Sequence, residues 1–191
     1  MRAMPPIAPP MAPLLAPLLA LGLLACGPRT QSLGKVSAAP PSLVLATRLL
    51  AADGNSLGEV ELRQMADGVQ FVARVQGLPA GSYAMHLHAI GRCEGPDFAS
   101  AGGHFNPGGR QHGRDNPMGA HAGDLPNLIV EDGGRGTLDV TVPGLRLADG
   151  TAPLLDDDGA AVVLHAKPDD YRTDPSGNAG SRIACGVLRR G

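Results

Sequence analysis

Histidine is concentrated in one stretch of this chain. Five of its six histidines lie within 36 residues, and a carboxylate follows three residues after the last: His86, His88, His104, His112, His121 and Asp124. Glycines and prolines surround them, and apolar runs are scarce there. Imidazole and carboxylate groups are the ligands that suit zinc and, for imidazole, copper. The clustering therefore predicts metal binding, and the sixth histidine, His165, alone in a later apolar run, is a further candidate ligand.

His86 and His88 are two residues apart on a predicted strand. Because side chains alternate along a strand, both point to the same face, with backbones about 6.5–7 Å apart. Two imidazoles on one face can chelate one metal ion. Two surface histidines on a strand remain the alternative.

The other four candidates occupy a long region without regular pattern. His104, His112, His121 and Asp124 would give a closed shell of three nitrogens and one oxygen, which suits tetrahedral Zn²⁺. A metal would also supply the order that such a loop lacks. The alternative is a group of solvated loop histidines.

Short strands must position these residues. Alternating or continuous apolar runs, bounded by turn signals such as Asp67-Gly68, predict eight strands. They span residues 43–51, 58–65, 69–75, 82–89, 128–131, 136–142, 160–166 and 183–188. Two long polar loops, 91–126 and 167–182, separate some of them, and no stretch shows a convincing helical period. The pattern predicts an all-β sandwich or closed barrel.

The composition is consistent with a β domain and gives no indication of a nucleic-acid partner. The chain has 27 Gly and 18 Pro, no Trp, three Phe and two Tyr, so the core must consist of Val, Leu, Ile and Ala. The formal net charge of −2 gives no basic surface large enough to predict a nucleic-acid partner.

The first 25 residues form a predicted signal peptide, with Arg2 before an apolar run. The run ends in Leu-Leu-Ala-Cys at 23–26, which resembles a bacterial lipobox and makes Cys26 a candidate for lipidation. A plain signal peptide is the alternative, and six prolines disfavour a spanning helix. Residues 26–42 would then be a tether, and 43–191 the folded domain. Contact with a membrane is expected only through the N-terminal lipid.

The chain has three cysteines, an odd number that needs explaining in an exported protein. If Cys26 carries lipid, Cys93 and Cys185 are free to pair. Such a bridge would close a loop of about 92 residues and contribute roughly 4–5 kcal/mol in the chain-entropy model. It also fits an oxidising compartment.

Taken together, these residues carry a family resemblance. From about residue 44 to 191 the chain resembles a copper-zinc superoxide dismutase in its bacterial exported form. The matching stretches are MHLH at 85–88, GGHFNP at 102–107, HAGDLPN at 121–127, VVLH at 162–165 and GNAGSRIACG at 177–186. Each motif alone is weak, but the set is specific.

The resemblance implies an eight-stranded Greek-key β-barrel with one copper and one zinc per subunit beneath the two loops. It implies copper ligands His86, His88, His104 and His165. It implies zinc ligands His104, His112, His121 and Asp124, so that His104 is shared. It also implies that Asp169 joins His86 to His112, that Arg182 lies beside copper, and that Cys93 pairs with Cys185.

The implied activity is dismutation of superoxide to O₂ and H₂O₂, as antioxidant defence in the cell envelope or periplasm. Copper would transfer electrons while zinc, which has no redox chemistry, organises the site. Arg182 would attract the anion, and His104 would pass on a proton. Lys167 and Arg172 are either steering charges or ordinary solvated ones.

Two other function classes stay open from the residues. One is a metal-storage or delivery protein with the same barrel. The other, a zinc hydrolase, is disfavoured because four protein ligands leave no open position on zinc. The chain could be a monomer or a homodimer, because no interface pattern stands out.

Overall fold

The computed structural model describes residues 44–190, and the predicted signal peptide, Cys26 and tether lie outside them. It contains nine strands: Val44–Ala51 (β1), Ser56–Gln64 (β2), Gly68–Gln76 (β3), Gly81–Tyr83 (β4), Met85–His88 (β5), Leu128–Val130 (β6), Arg135–Pro143 (β7), Ala160–His165 (β8) and Arg182–Leu188 (β9). A single 3-10 turn, Ala99–Ala101, is the only helical element in this range. No described helix is long and apolar enough to cross a membrane.

All nine strands form one antiparallel sheet in the order β4-β6-β7-β3-β2-β1-β9-β8-β5. The first and last strands in this order, β4 and β5, are consecutive in the chain but do not pair with each other, so the sheet curls into a nearly closed barrel. The prediction of an all-β Greek-key barrel is therefore confirmed.

The eight predicted strands are all present, and the fourth is divided at Ala84. At this residue the chain stops pairing with β6 and starts pairing with β8. The Ala84 N–H donates to the carbonyl of Lys167 (2.8 Å), and its carbonyl accepts from the His165 N–H (2.9 Å). The backbone groups of Ala84 are thus satisfied outside the ladder, which is why one predicted strand becomes two.

Alternation along β2 and β3 sorts side chains between core and solvent. Val60 and Leu62 on β2 are fully buried, as is Phe71, which pairs with Leu62 from β3. Glu59 and Arg63, between the inward positions, are exposed. Truncating Phe71 to Ala would cost about 3–5 kcal/mol through lost burial and the cavity left behind.

One part of the core had no strand signal. Residues 144–159 fold over the barrel, where Leu145, Leu147, Leu154 and Leu155 are buried. The N–H groups of Leu154 and Leu155 donate to the carbonyls of Arg146 and Leu147, both at 2.8 Å. Irregular backbone is tolerated there because these bonds satisfy its polar groups.

The predicted disulfide between Cys93 and Cys185 is confirmed, with Cα atoms 5.6 Å apart and a sequence separation of 92 positions. It joins the loop after β5 to β9. Both sulfurs belong to a small apolar cluster that includes Phe98, Ala101 and Val163. Structural disulfides persist in oxidising compartments, so this one indicates an exported protein.

Candidate metal centre

Strand β5 supplies the first two histidines. Met85 and Leu87 point into the barrel and are fully buried, whereas His86 and His88 point outward. Their ring centroids are 6.5 Å apart, yet the two residues are only 0% and 1% exposed. Something outside the barrel must therefore cover them.

The cover is the first long loop, residues 89–127, which folds back along β5. The Leu87 N–H donates to the carbonyl of Gly123 (2.9 Å), and the Leu87 carbonyl accepts from the Phe105 N–H (2.8 Å). Two isolated bridges extend this pairing, one between His86 and Asp124 and one between His88 and His104. Backbone pairing thus carries loop ligands to the outward face of β5.

Four histidines form a first cluster, called here the copper-side group. One nitrogen from each lies within 4.8 Å of the others: His86, His88, His104 and His165. His165 is the last residue of β8, the strand that pairs with β5.

One nitrogen of each copper-side ring is buried and lacks a hydrogen-bond partner in the described chain. These atoms are His86 Nδ1, His88 Nε2, His104 Nε2 and His165 Nε2. An unpartnered buried polar atom costs about 1–3 kcal/mol, so four in one place require an explanation. A cation bound by four imidazoles provides one, and the donor set fits copper.

A second group gathers around the Asp124 carboxylate. Its Oδ1 lies 2.9 Å from His104 Nδ1, 3.0 Å from His112 Nδ1 and 3.1 Å from His121 Nδ1. His121 Nδ1 is 3.3 Å from His104 Nδ1. Four atoms bound tetrahedrally at zinc–nitrogen distances would be about 3.3 Å apart. This spacing and the mixed nitrogen and oxygen donors fit zinc.

His86 also lies within 4.8 Å of this second group, beside His104, His112 and Asp124. Its ring centroid is only 4.0 Å from that of His104. His86 Nε2 is nevertheless hydrogen-bonded to Asp169, and its free Nδ1 belongs to the copper-side group. His121 Nδ1, at 3.1 Å from Asp124 Oδ1 and 3.3 Å from His104 Nδ1, is the other candidate for the fourth position near Asp124.

His104 takes part in both groups through opposite ring nitrogens. Nδ1 faces Asp124, and the unpartnered Nε2 faces the copper side. A single imidazole can bridge two cations in this way when both nitrogens are deprotonated.

Asp169, in the second long loop (residues 166–181), holds a ring from each group. Its Oδ2 is 2.8 Å from His86 Nε2, and its Oδ1 is 2.9 Å from His112 Nε2. Both pairs are buried. Fixing the distal nitrogen of a ligating imidazole sets the tautomer and the direction of the ring.

Two residues that support Asp169 were not predicted. The Asn127 side-chain amide donates to the Asp169 carbonyl (3.0 Å) and accepts from the Asp169 N–H (2.8 Å). The Tyr171 N–H donates to Asp169 Oδ1 (2.6 Å), and the Tyr171 hydroxyl accepts from the Asn127 N–H (2.8 Å). Asn127 lies in a matching motif, but Tyr171 carried no signal because its role depends on contacts between loops.

Arg182 is the first residue of β9 and is partly buried. Its guanidinium donates through Nη1 to the carbonyl of Phe98 and through Nη2 to that of Gly102, both at 2.7 Å. It lines a cavity of about 390 Å³ together with His88, His104 and His165. A fixed positive charge thus lines the same opening as three of the four copper-side rings. Lys167 and Arg172 are exposed in the second loop.

Burial keeps the rings of His88, His104 and His165 neutral. It lowers the pKa of His88 to about 2, that of His165 to about 3 and that of His104 to about 4, with neighbouring rings adding to the effect. Neutral imidazole is the form that binds metal.

On the zinc side, carboxylates reverse the balance. Burial acts to lower the pKa of His112, but the Asp124 carboxylate 3.0 Å away and the hydrogen bond to Asp169 outweigh it and raise that pKa to about 9. For Asp124, burial acts to raise the pKa, but the hydrogen bond from His104 and the close His112 ring hold it well below its usual range. The carboxylate therefore stays ionised and available to a cation.

Comparison with known proteins agrees with this geometry. Residues 56–188 match the family model described as copper/zinc superoxide dismutase (SODC). The chain belongs to this family. It is 45% identical over 143 residues to Superoxide dismutase [Cu-Zn] 2 of Aquifex aeolicus, covering 74% of this chain and 84% of that relative.

Two further comparisons involve Bacillus subtilis. The chain is 39% identical over 179 residues to Superoxide dismutase-like protein YojM, covering 88% of this chain and 91% of the relative. The crystal structure of a double mutant of a SOD-like protein superposes with a TM-score of 0.73 at 42% identity, covering 76% of this chain and 97% of that one. Membership of the family makes the chain an oxidoreductase that dismutates superoxide with one copper and one zinc per subunit.

Proposed function

We propose that copper is held by His86, His88, His104 and His165, and zinc by His104, His112, His121 and Asp124. The observation that carries the copper assignment is the convergence of four buried, unpartnered ring nitrogens. The zinc assignment is supported by the position of Asp124 Oδ1, which lies 2.9–3.1 Å from a ring nitrogen of each of the three histidines.

Copper, when bound, supplies one-electron chemistry, so that two superoxide anions and two protons give O₂ and H₂O₂. The chain must then attract an anion. Arg182 serves this purpose, because its guanidinium is permanently charged and is held by two carbonyls at the cavity.

Protons must reach the reduced product. His104 Nε2 is suited to carry one, because it faces the cavity side while its Nδ1 remains held on the zinc side. Asp169 keeps the neighbouring rings oriented during this exchange, since it holds His86 and His112 by their distal nitrogens.

The proposal is tested by pulse radiolysis of protein loaded with one copper and one zinc. We expect fast dismutation that slows as ionic strength rises, since salt screens the attraction between Arg182 and superoxide. A fully metallated protein without activity would instead indicate metal storage or delivery.

We further propose that the enzyme works in the cell envelope, anchored by lipid on Cys26. The support is the Leu-Leu-Ala-Cys sequence at 23–26 and the disulfide in the folded domain. Mass spectrometry of the mature N-terminus should find an acylated cysteine, and Cys26→Ser should move the protein from the membrane to the soluble fraction. A native chain that is soluble and unacylated would contradict the anchor.

A further inference from the structure

A groove of about 380 Å³ lies on the outer face of strands β1, β2, β3 and β7, and it shares no lining residue with the cavity at the metal centre. Three of its lining residues are arginines: Arg48, Arg74 and Arg135. We propose that this groove binds a phosphate group, borne by a soluble ester or by a lipid headgroup.

Strand register explains why the arginines meet. Arg48 pairs with Glu59, which pairs with Arg74, which in turn pairs with Thr137 across four neighbouring strands. Arg135 lies two residues before Thr137, on the same face of β7. All three arginines therefore project from outward positions of one sheet, with Glu59 between Arg48 and Arg74.

The groove is concave because its floor is backbone and small residues. Gly58 and Gly136 both pair with Val75, and both line the groove. The volume is within the range of pockets that hold small ligands.

The three guanidinium groups are available. Within residues 44–190, none of Arg48, Arg74 and Arg135 makes a side-chain hydrogen bond or ion pair with the protein. By contrast, Arg63 on the same β2 face pairs with Glu61 at 3.1 Å, and Arg146 pairs with Asp149 at 2.6 Å.

The charge of the groove opposes that of the chain. Three arginines and one carboxylate, Glu59, give a formal charge of +2 in a chain whose net charge is −2. Guanidinium groups match tetrahedral oxyanions geometrically and can donate two hydrogen bonds to each. A phosphate group is therefore the ligand chemistry that the groove favours, and Glu59 weakens its binding by repulsion.

The test is an amide NMR titration of the full, metal-loaded chain with inorganic phosphate, with copper in its reduced state and the disulfide intact. We expect saturable shifts at Gly58, Val75 and Gly136, with half-saturation on the order of 1 mM because the charges are exposed to water. The groove variant Arg48→Gln/Arg74→Gln/Arg135→Gln should raise the dissociation constant at least about tenfold. Thermal melting establishes that each variant is folded.

A charge-matched control removes three arginines elsewhere, as Arg63→Gln/Arg146→Gln/Arg190→Gln, and should bind phosphate as the parent does. Glu59→Gln should tighten binding by about threefold, since it removes one nearby negative charge. Shifts that do not saturate, a groove variant that binds like the parent, equal loss in the control, or no tightening with Glu59→Gln would each overturn the proposal.

A second arm identifies the source of the phosphate. Flotation with phosphatidylglycerol and phosphatidylcholine vesicles compares the groove variant with its charge-matched control, so that any N-terminal anchor is common to both. Retention on phosphatidylglycerol that only the groove variant loses assigns the ligand to a lipid headgroup. Equal retention of both, combined with phosphate binding in the titration, assigns it to a soluble ester.

Discussion

His88 and Arg182 share one hydrogen-bond acceptor, the backbone carbonyl of Gly102. His88 Nδ1 lies 2.9 Å from this oxygen, and Arg182 Nη2 lies 2.7 Å from it. A carbonyl has two lone pairs and can accept both bonds. One backbone atom therefore sets both the direction of a copper-side ring and the position of the cation that is proposed to attract substrate.

Arg182→Ala should lower the dismutation rate by about 10- to 100-fold, because the local positive potential that raises the association rate is lost. Copper and zinc content should stay near one per chain. Arg182→Lys should be intermediate, since lysine keeps the charge but lacks the two-pronged guanidinium. Rates come from pulse radiolysis and metal content from elemental analysis.

Arg189→Ala is the matched control, because Arg189 also donates to a carbonyl, that of Gly91, outside the metal centre. It should leave the rate unchanged. If Arg182→Ala retains the parent rate, Arg182 does not attract superoxide.

Gly102→Ala should disturb the centre by moving that shared carbonyl. Gly102 has φ +73° and ψ −154°, a region that side chains rarely allow, and a Cβ there would meet Ile90 Cδ1 at 3.0 Å. The strain is about 1–3 kcal/mol. We expect reduced activity and a changed copper EPR spectrum. Gly103→Ala, where a Cβ meets nothing within 4 Å, should leave both unchanged; equal effects of the two variants would refute this account.

Asp169→Asn should weaken zinc binding by about 10- to 100-fold, as expected when a group orienting a ligand is removed. His86 and His112 bond to different oxygens of the carboxylate, and in the amide one of these two positions becomes an NH₂ group that cannot accept a hydrogen bond. Competition with a zinc chelator measures the change. The neighbouring Asp170→Asn alters an exposed carboxylate bonded to Thr173 and Asn178, and it should leave zinc affinity near that of the parent.

Tyr171→Phe should loosen the support of Asp169. The variant removes the acceptor for the Asn127 N–H but keeps the ring against which Arg114 packs, 3.8 Å from its centroid. We expect a loss of about 1 kcal/mol in stability together with faster zinc release. Tyr83→Phe also removes a bonded hydroxyl, one that donates to Pro79, and it should cost stability without speeding zinc release. Equal zinc release rates would contradict the positioning role.

The metal-free protein should become less stable as pH falls below about 6.5. The pKa values of His88, His104 and His165 are lowered from 6.5 in the folded chain, so the unfolded chain takes up protons first in this range. Above 6.5 the three rings are neutral in both states and contribute no pH dependence. Calorimetry of chelator-treated protein at pH 7, 6 and 5 should show a falling melting temperature.

The contribution of His112 to stability changes with pH in the opposite direction. Because its pKa is raised to about 9, its contribution is complete below 6.5 and is lost as pH rises toward 9. It therefore does not offset the acid loss of the other three. A melting temperature that is flat from pH 7 to 5 would show that the three rings are not buried without metal.

Much of this fold was predictable from alternation and turns, as in β2 and β3 on either side of Asp67-Gly68. The division at Ala84 was not, because alternation does not reveal when a strand changes its pairing partner. Leu147 and Leu155 were missed as core because they lie in irregular backbone, where no period marks burial.

The metal centre was also predictable from the sequence only in part. Spacing and motifs identified the histidines, but not which nitrogen of each ring is free. The Gly102 carbonyl could not be predicted at all, since a backbone oxygen leaves no trace in residue type. The contacts of Tyr171 depend on how two loops meet, which the sequence of neither loop shows.

The bridges from residues 104 and 124 to β5 have a consequence for solubility. They occupy main-chain groups along the flank of β5 that faces away from β8, where an uncovered strand could template association with another molecule. The loop that makes these bridges is fastened by the proposed zinc ligands. Loss of metal would therefore expose the unpaired backbone edge of β5. Correct metallation would then protect the protein against aggregation as well as enabling turnover.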